Sequence, residues 1–175
     1  MVAEQESAGL AKRLLAEAIG KEEVDATRLV VHADRGTSMR SRLVAQLLAD
    51  LGVTKTHSRP HVSDDNPFSE SQFKTMKYRP EFPDRFGSLE DARTFCRGFF
   101  RWYNHDHRHH GIALLTPAQV HQGQADAVLA ERQRVLDVAY AATPDRFPRP
   151  PKVPALARGV WNNPPSPAPS PLEGE

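Results

Sequence analysis

Ten of the 15 prolines in this 175-residue chain fall between Pro144 and Pro171. Proline has no backbone N–H and a fixed φ, so it is excluded from helix interiors and central strands. The segment that ends SPAPSPLEGE is therefore expected to be disordered, and folding falls to residues 1–143. At roughly 150 residues per domain that is one domain plus a tail. A hydrophobic content of 39% and a mean hydropathy of −0.57 fit a single modest core. No apolar run approaches the roughly 20 residues of a membrane span, and the N-terminus lacks the basic-then-apolar pattern of a secretory signal. Cys96, the only cysteine, excludes an intramolecular disulfide and any multi-cysteine zinc site.

Periodicity organises the rest. Residues 7–20 carry Leu10, Leu14, Leu15 and Ile19 at helical spacing and stop at Gly20. Leu29-Val30-Val31 reads as a short buried strand that ends in the polar run His32–Gly36. Ser38 or Ser41 is placed to cap a helix through Leu43, Val44, Leu47, Leu48 and Leu51, closed by Gly52. Val53–Thr56 then reads as a second strand, so 29–57 is strand–helix–strand, the pattern of a parallel crossover. Ser58–Pro67 is a loop. Pro67 opens a helix over 67–78, in which Phe68, Phe73 and Met76 form a sector able to pack on a core. A fourth helix follows Ser88, Thr116-Pro117 starts a fifth, and 124–142 is the last.

Asp34 and Glu70 are the candidate catalytic and metal-binding residues. Asp34 follows directly on a strand, at the edge where open α/β sheets place their ligands. Glu70 lies in the first turns of the helix begun by Pro67, and 35 residues separate the two acids. Two carboxylates at one sheet edge suit Mg²⁺ or Mn²⁺, hard cations that take oxygen ligands and keep several waters. Such ions promote in-line attack on phosphodiesters. Lys74 and Lys77 lie within about 40° of Glu70 around the helix, where they suit a phosphate backbone. A solvated Glu–Lys pair is the plain alternative for the same residues.

The motifs HADRG at 32–36, THSRPHVSDDNPFSESQFKTMKY at 56–78 and FCRGFFRWYNHDHRHHGIALLTPAQVH at 95–121 resemble bacterial insertion-sequence transposases with a retroviral-integrase-like catalytic core. The resemblance covers about 7–122. It implies an RNase H-like fold, here in part: a strand–helix–strand remnant of a mixed sheet, then a mostly helical C-terminal portion and the proline-rich tail. It divides the chain into a partial core at 1–122, a helix at 123–143 and the tail at 144–175. In the family a D…D-(35)-E triad binds the metal, so Asp34 corresponds to the second aspartate and Glu70 to the glutamate. Asn66 would shape the loop beside the site, and Lys74 and Lys77 match positions that contact DNA. The first aspartate belongs on an upstream strand. The acids before Asp34 are Glu4, Glu6, Glu17, Glu22, Glu23 and Asp25, and none lies in a strand-like run. The resemblance thus implies a C-terminal fragment that lacks one catalytic aspartate and is inactive alone, leaving its standing as an enzyme open. Transposon ends and target DNA are the implied partners, with full-length transposase subunits as a further one. The implied location is the bacterial cytoplasm, at the nucleoid.

Residues 34–112 hold 13 Lys/Arg against 10 Asp/Glu, and six of the eight histidines. Arg101–His110 interleaves Trp102 and Tyr103 with Arg101, Arg108 and four histidines, a mixture suited to DNA contact. The same tract offers zinc or nickel ligands in vitro, or a capped helix end. Cys96 falls on the apolar side of its helix and reads as core. Two functions stand side by side: a core fragment of a DNA cleavage and strand-transfer enzyme, or a non-catalytic remnant that binds DNA or associates with full-length transposase. A two-stranded sheet is marginal alone, so the helical C-terminal half is expected to hold much of the order.

Overall fold

The computed structural model describes residues 1–22, 24–58, 67–157 and 159–160. Its elements are α1 (Ala8–Lys21), β1 (Val30–Ala33), α2 (Arg42–Asp50), β2 (Thr54–His57), α3 (Pro67–Lys77), α4 (Leu89–His105), α5 (Pro117–His121) and α6 (Ala125–Ala142), with single 3₁₀ turns at Ala26–Arg28, His110–Ile112 and Pro144–Arg146. They fall into two compact units, Met1–Ala92 and Arg93–Val160, divided near the start of α4.

The first unit is mixed α/β, built on a two-stranded parallel sheet. Val30 pairs with Thr54 and Ala33 with His57. Local chemistry sets the element ends. The Ser7 and Ser41 side chains cap α1 and α2 by accepting from the Leu10 and Val44 amides. Gly52, at φ +70°, ends α2 in a Schellman turn. There the Val53 amide donates to Leu48 O at 2.8 Å and the Gly52 amide to Ala49 O at 3.1 Å. That turn carries the buried Leu48 and Val53 into one cluster with Val44. Leu15, Ile19, Leu29, Val31 and Met39 pack around it, and α1 lies against α2.

The helices cover one face of the sheet, and this corrects the expectation of a buried strand. Side chains alternate along a strand, so Val31 reaches the core while Val30 is 54% exposed. The run Leu29-Val30-Val31 is apolar on both faces, but only one face is covered. The same correction applies to α3. Phe68 and Phe73 are 58% and 57% exposed, and no residue of α3 is buried.

The second unit is helical. Phe99, 4% exposed, is the buried residue of α4. It stacks on Phe95 at 6.4 Å and contacts Trp102 and Tyr103 at 6.0 and 5.7 Å. Thr116 and Gln119 close a capping box at the start of α5. The chain between α4 and α5 passes through Ala113 and Leu114, both at φ 57°, a left-handed conformation strained for residues with a Cβ. Arg132 of α6 holds that turn by donating to Ala113 O at 3.2 Å and Leu114 O at 3.0 Å. Part of the proline-rich stretch is also fixed. Phe147 meets Tyr140 edge-on at 5.7 Å, and the Gln133 amide bonds Pro151 O and the Val153 N–H, both at 3.0 Å. Beyond residue 160 the tail lies outside the described residues.

Candidate nucleic-acid and metal site

Asp34 follows the last residue of β1, at the carboxyl edge of the parallel pair. Two contacts fix its side chain and backbone. Its Oδ1 accepts from the Gly36 amide at 3.0 Å, an Asx turn. Its carbonyl accepts from His57 Nδ1 at 3.0 Å. Beside it, the Ser58 amide donates to Ala33 O at 3.0 Å, and Arg35 Nε donates to Ser58 O at 3.1 Å. A Cβ at Gly36 would stand 3.0 Å from Asp34 Oδ1, so a larger residue there would push the carboxylate by a few tenths of an ångström. Asp34 is exposed. The result is a carboxylate aimed by its own turn and open to solvent. Sequence spacing alone singles out neither Arg35 nor His57; the parallel register, which pairs Ala33 with His57, is what brings His57 beside Asp34.

Glu70 is exposed in the first turn of α3, where a carboxylate also complements the helix dipole. Lys74 and Lys77 follow in the last turn, both exposed. Asn66 lies outside the described residues, as does the rest of 59–66 between Asp34 and Glu70. Among the described residues no three His, Cys, Asp or Glu side chains gather into a metal-holding group. The donor chemistry still suits a hard cation, since Mg²⁺ is commonly held by one or two carboxylates together with water and substrate phosphate.

His32 is exposed and shares a 2.9 Å hydrogen bond with Thr56 Oγ1, its register partner across the sheet. In the helical unit, the histidine tract is largely absorbed into packing. His107 sits 4.8 Å from Trp102 and 5.3 Å from Tyr103. His109 Nδ1 accepts from the Gly111 amide at 3.1 Å, and His109 pairs with Leu115 in an isolated antiparallel bridge. Two of the four histidines are therefore structural, and a zinc or nickel site finds no three-ligand group among the described residues. Arg108 Nη1 donates to Gln119 Oε1 at 3.1 Å, which ties it to the α5 capping box. Arg101 is exposed on α4. Burial raises the Tyr103 hydroxyl above its ordinary pKa.

Residues 51–117 match the integrase core domain family. The matched stretch begins after Asp34 and contains Glu70, Lys74, Lys77, Arg101 and Arg108. It runs from the end of α2 to the first residue of α5 and so draws on both units. In this stretch the chain is similar to retroviral-integrase-like and transposase cores, domains that bind DNA and generally use divalent metals. A comparison with curated proteins returned no match. Among the described residues no helix is long and apolar enough to cross a membrane.

Proposed function

We propose that this chain is the C-terminal part of an insertion-sequence-type transposase core of RNase H-like fold, belonging to DNA cleavage and strand transfer. The observation that carries the reading is the integrase core match over 51–117, joined upstream by a carboxylate at the end of a parallel strand. Asp34 and Glu70 are two ligands of a Mg²⁺ or Mn²⁺ ion. When bound, such an ion would make the attacking oxygen nucleophilic and stabilise the leaving one. The chain's own residues do the positioning. The Gly36 amide orients the Asp34 carboxylate, and His57 anchors the backbone carbonyl behind it. Lys74 and Lys77, with Asn66, Arg101 and Arg108, face DNA in this reading.

Of the acids before Asp34, Glu17 is on α1, Glu22 caps it, and Asp25 caps the Ala26–Arg28 turn, so none of these three stands on a strand beside β1. With two of the three triad carboxylates assigned, this reading expects the chain alone to be inactive in strand cleavage. A second reading, a non-catalytic partner of full-length transposase, draws support from the exposed Val30, Phe68 and Phe73, apolar surface of the kind that a larger sheet or another subunit would cover.

Two measurements test the proposal. Supercoiled plasmid incubated with the purified chain and Mg²⁺ or Mn²⁺ should stay uncut; nicking that Glu70→Gln abolishes would overturn the claim of inactivity. Mn²⁺ should broaden the amide resonances around Asp34 and Glu70, and Asp34→Asn or Glu70→Gln should weaken that broadening. Equal broadening in both variants would remove the pair as metal ligands.

A further inference from the structure

In the first unit the N-terminal segment, α1 and the turn before α2 surround a cavity of about 320 Å³. Its lining is mainly apolar, with Leu10, Ala11 and Leu14 of α1 facing Met39 of the turn. Small-molecule sites begin at about this volume, and they combine an apolar lining with a few placed polar groups. The walls are fixed by the fold itself. Ser7 caps α1, Met39 O accepts from Lys55 Nζ, and the Arg40 amide donates to Gly36 O at 3.0 Å.

Two polar groups on this lining have no use within the fold. Ser38 is only 6% exposed, yet its hydroxyl makes no hydrogen bond among the described residues. The nearby Ser7 and Ser41 hydroxyls, by contrast, are spent on capping α1 and α2. Among the described residues no fully sealed side-chain oxygen or nitrogen lacks a partner, so the Ser38 oxygen opens on accessible space, and the cavity is what Ser38 lines. A hydroxyl placed so deep is costly to leave unsatisfied. Glu6 lies at the exposed rim, forms no ion pair among the described residues, and is the one charged side chain of the lining. Residues 1–7 hold Glu4 and Glu6 and no Lys or Arg. An ionised carboxylate only accepts hydrogen bonds, and a hydroxyl can accept as well. The complementary ligand therefore has an apolar body and a donating, cationic head.

We propose that this cavity binds a small amphipathic amine. Its aliphatic or aromatic body lies against Leu10, Leu14 and Met39, while its ammonium donates to the Ser38 hydroxyl and is drawn toward Glu6. Neither Asp34 nor Glu70 lines the cavity, so its occupancy is independent of the transposase reading.

Titration of the full chain, isotope-labelled at its methyl groups, with 2-phenylethylamine near neutral pH tests this. The Leu10, Leu14 and Met39 methyl resonances should shift saturably, with a dissociation constant of about 1 mM or below, within reach of a ligand of so few atoms. The neutral isostere 2-phenylethanol should bind roughly three- to fivefold more weakly. The anion 3-phenylpropanoate, facing Glu6, should bind more weakly than either. Ser38→Ala should weaken the amine by roughly three- to tenfold. Its melting temperature should hold or rise, because the hydroxyl has no hydrogen bond in the fold to lose. Glu6→Gln, at an exposed position, should bring amine and alcohol to nearly equal affinity. Equal affinity of all three ligands for the unaltered chain would overturn the assignment, as would unchanged amine affinity in Ser38→Ala or in Glu6→Gln. So would shifts centred on the exposed Phe68 and Phe73 instead of these methyls, or no saturable shift by about 20 mM amine.

Discussion

The two units of this chain stabilise themselves in different ways. In Met1–Ala92 a small core, Val44, Leu48 and Val53, is sealed on one side by α1 and α2, while the other side of the sheet and the phenylalanines of α3 face solvent. In Arg93–Val160 the aromatic residues of α4 close on each other, and the next loop is tied to α6 by Arg132. The candidate carboxylates belong to the unit with the uncovered sheet. A binding or catalytic constellation must be held to about 0.5 Å by the residues packed around it, and the exposed face of this sheet leaves that packing incomplete among the described residues. The difference is one of coverage: the sheet unit leaves one face open, while the helical unit closes on its own aromatic residues.

Leu48→Ala is the strongest way to break that comparison. Leu48 is 1% exposed, and truncating it should cost about 2–5 kcal/mol. If the units are independent, the loss appears in the first unit alone. In a Trp161→Phe background Trp102 reports only on the helical unit, and its fluorescence transition should stay in place while part of the circular dichroism signal melts earlier. A common shift of both signals would show one cooperative structure instead. Leu115→Ala, at a fully buried position of the second unit, should give the reverse pattern.

Proton linkage separates the units more gently. Burial raises the pKa of Tyr103, which means that the folded helical unit resists forming the phenolate. Raised folded pKa means stability that is complete below the ordinary tyrosine value near 10 and is lost as pH climbs through the folded value. Thermal melts followed at Trp102 should therefore soften above about pH 10, and Tyr103→Phe should blunt that decline. An identical alkaline decline in the variant would place its origin elsewhere.

What the sequence disclosed follows the range of the interactions involved. Strand–helix–strand over 29–57 is legible because its signals are local: Ser41 caps, Gly52 turns, and Leu48 and Val53 meet across that turn. Thr116-Pro117 announces α5 for the same reason, and Asp34 becomes a candidate by its place after a strand. The one-sided sheet is not legible, since Leu29-Val30-Val31 reads alike whether one face is covered or two. Nor is the left-handed pair Ala113-Leu114, where neither residue is glycine and the stabilising guanidinium arrives from Arg132. His107 and His109 read as possible ligands because their composition is visible while their aromatic neighbours and backbone bridge are tertiary facts. Gln133 gripping residues 151 and 153 is of the same kind: composition marks a proline-rich stretch as structureless, and one amide side chain overrides it locally.

The smallest expected effect is the most pointed. Phe68→Ser and Phe73→Ser should each change stability by no more than about 0.5 kcal/mol, the range of surface substitutions. Phe99→Ala, in the aromatic cluster of the helical unit, should cost about 3–5 kcal/mol. The same residue type thus differs in weight according to whether its surroundings exist within the chain. Urea titration of the three variants measures this directly. A loss of about 2 kcal/mol or more at Phe68 or Phe73 would show that α3 is packed in solution and that the sheet unit is more complete than its exposed faces indicate. Near-neutral values, with improved solubility from removing two exposed rings, would leave α3 as a helix whose apolar side waits for a surface supplied by another polypeptide.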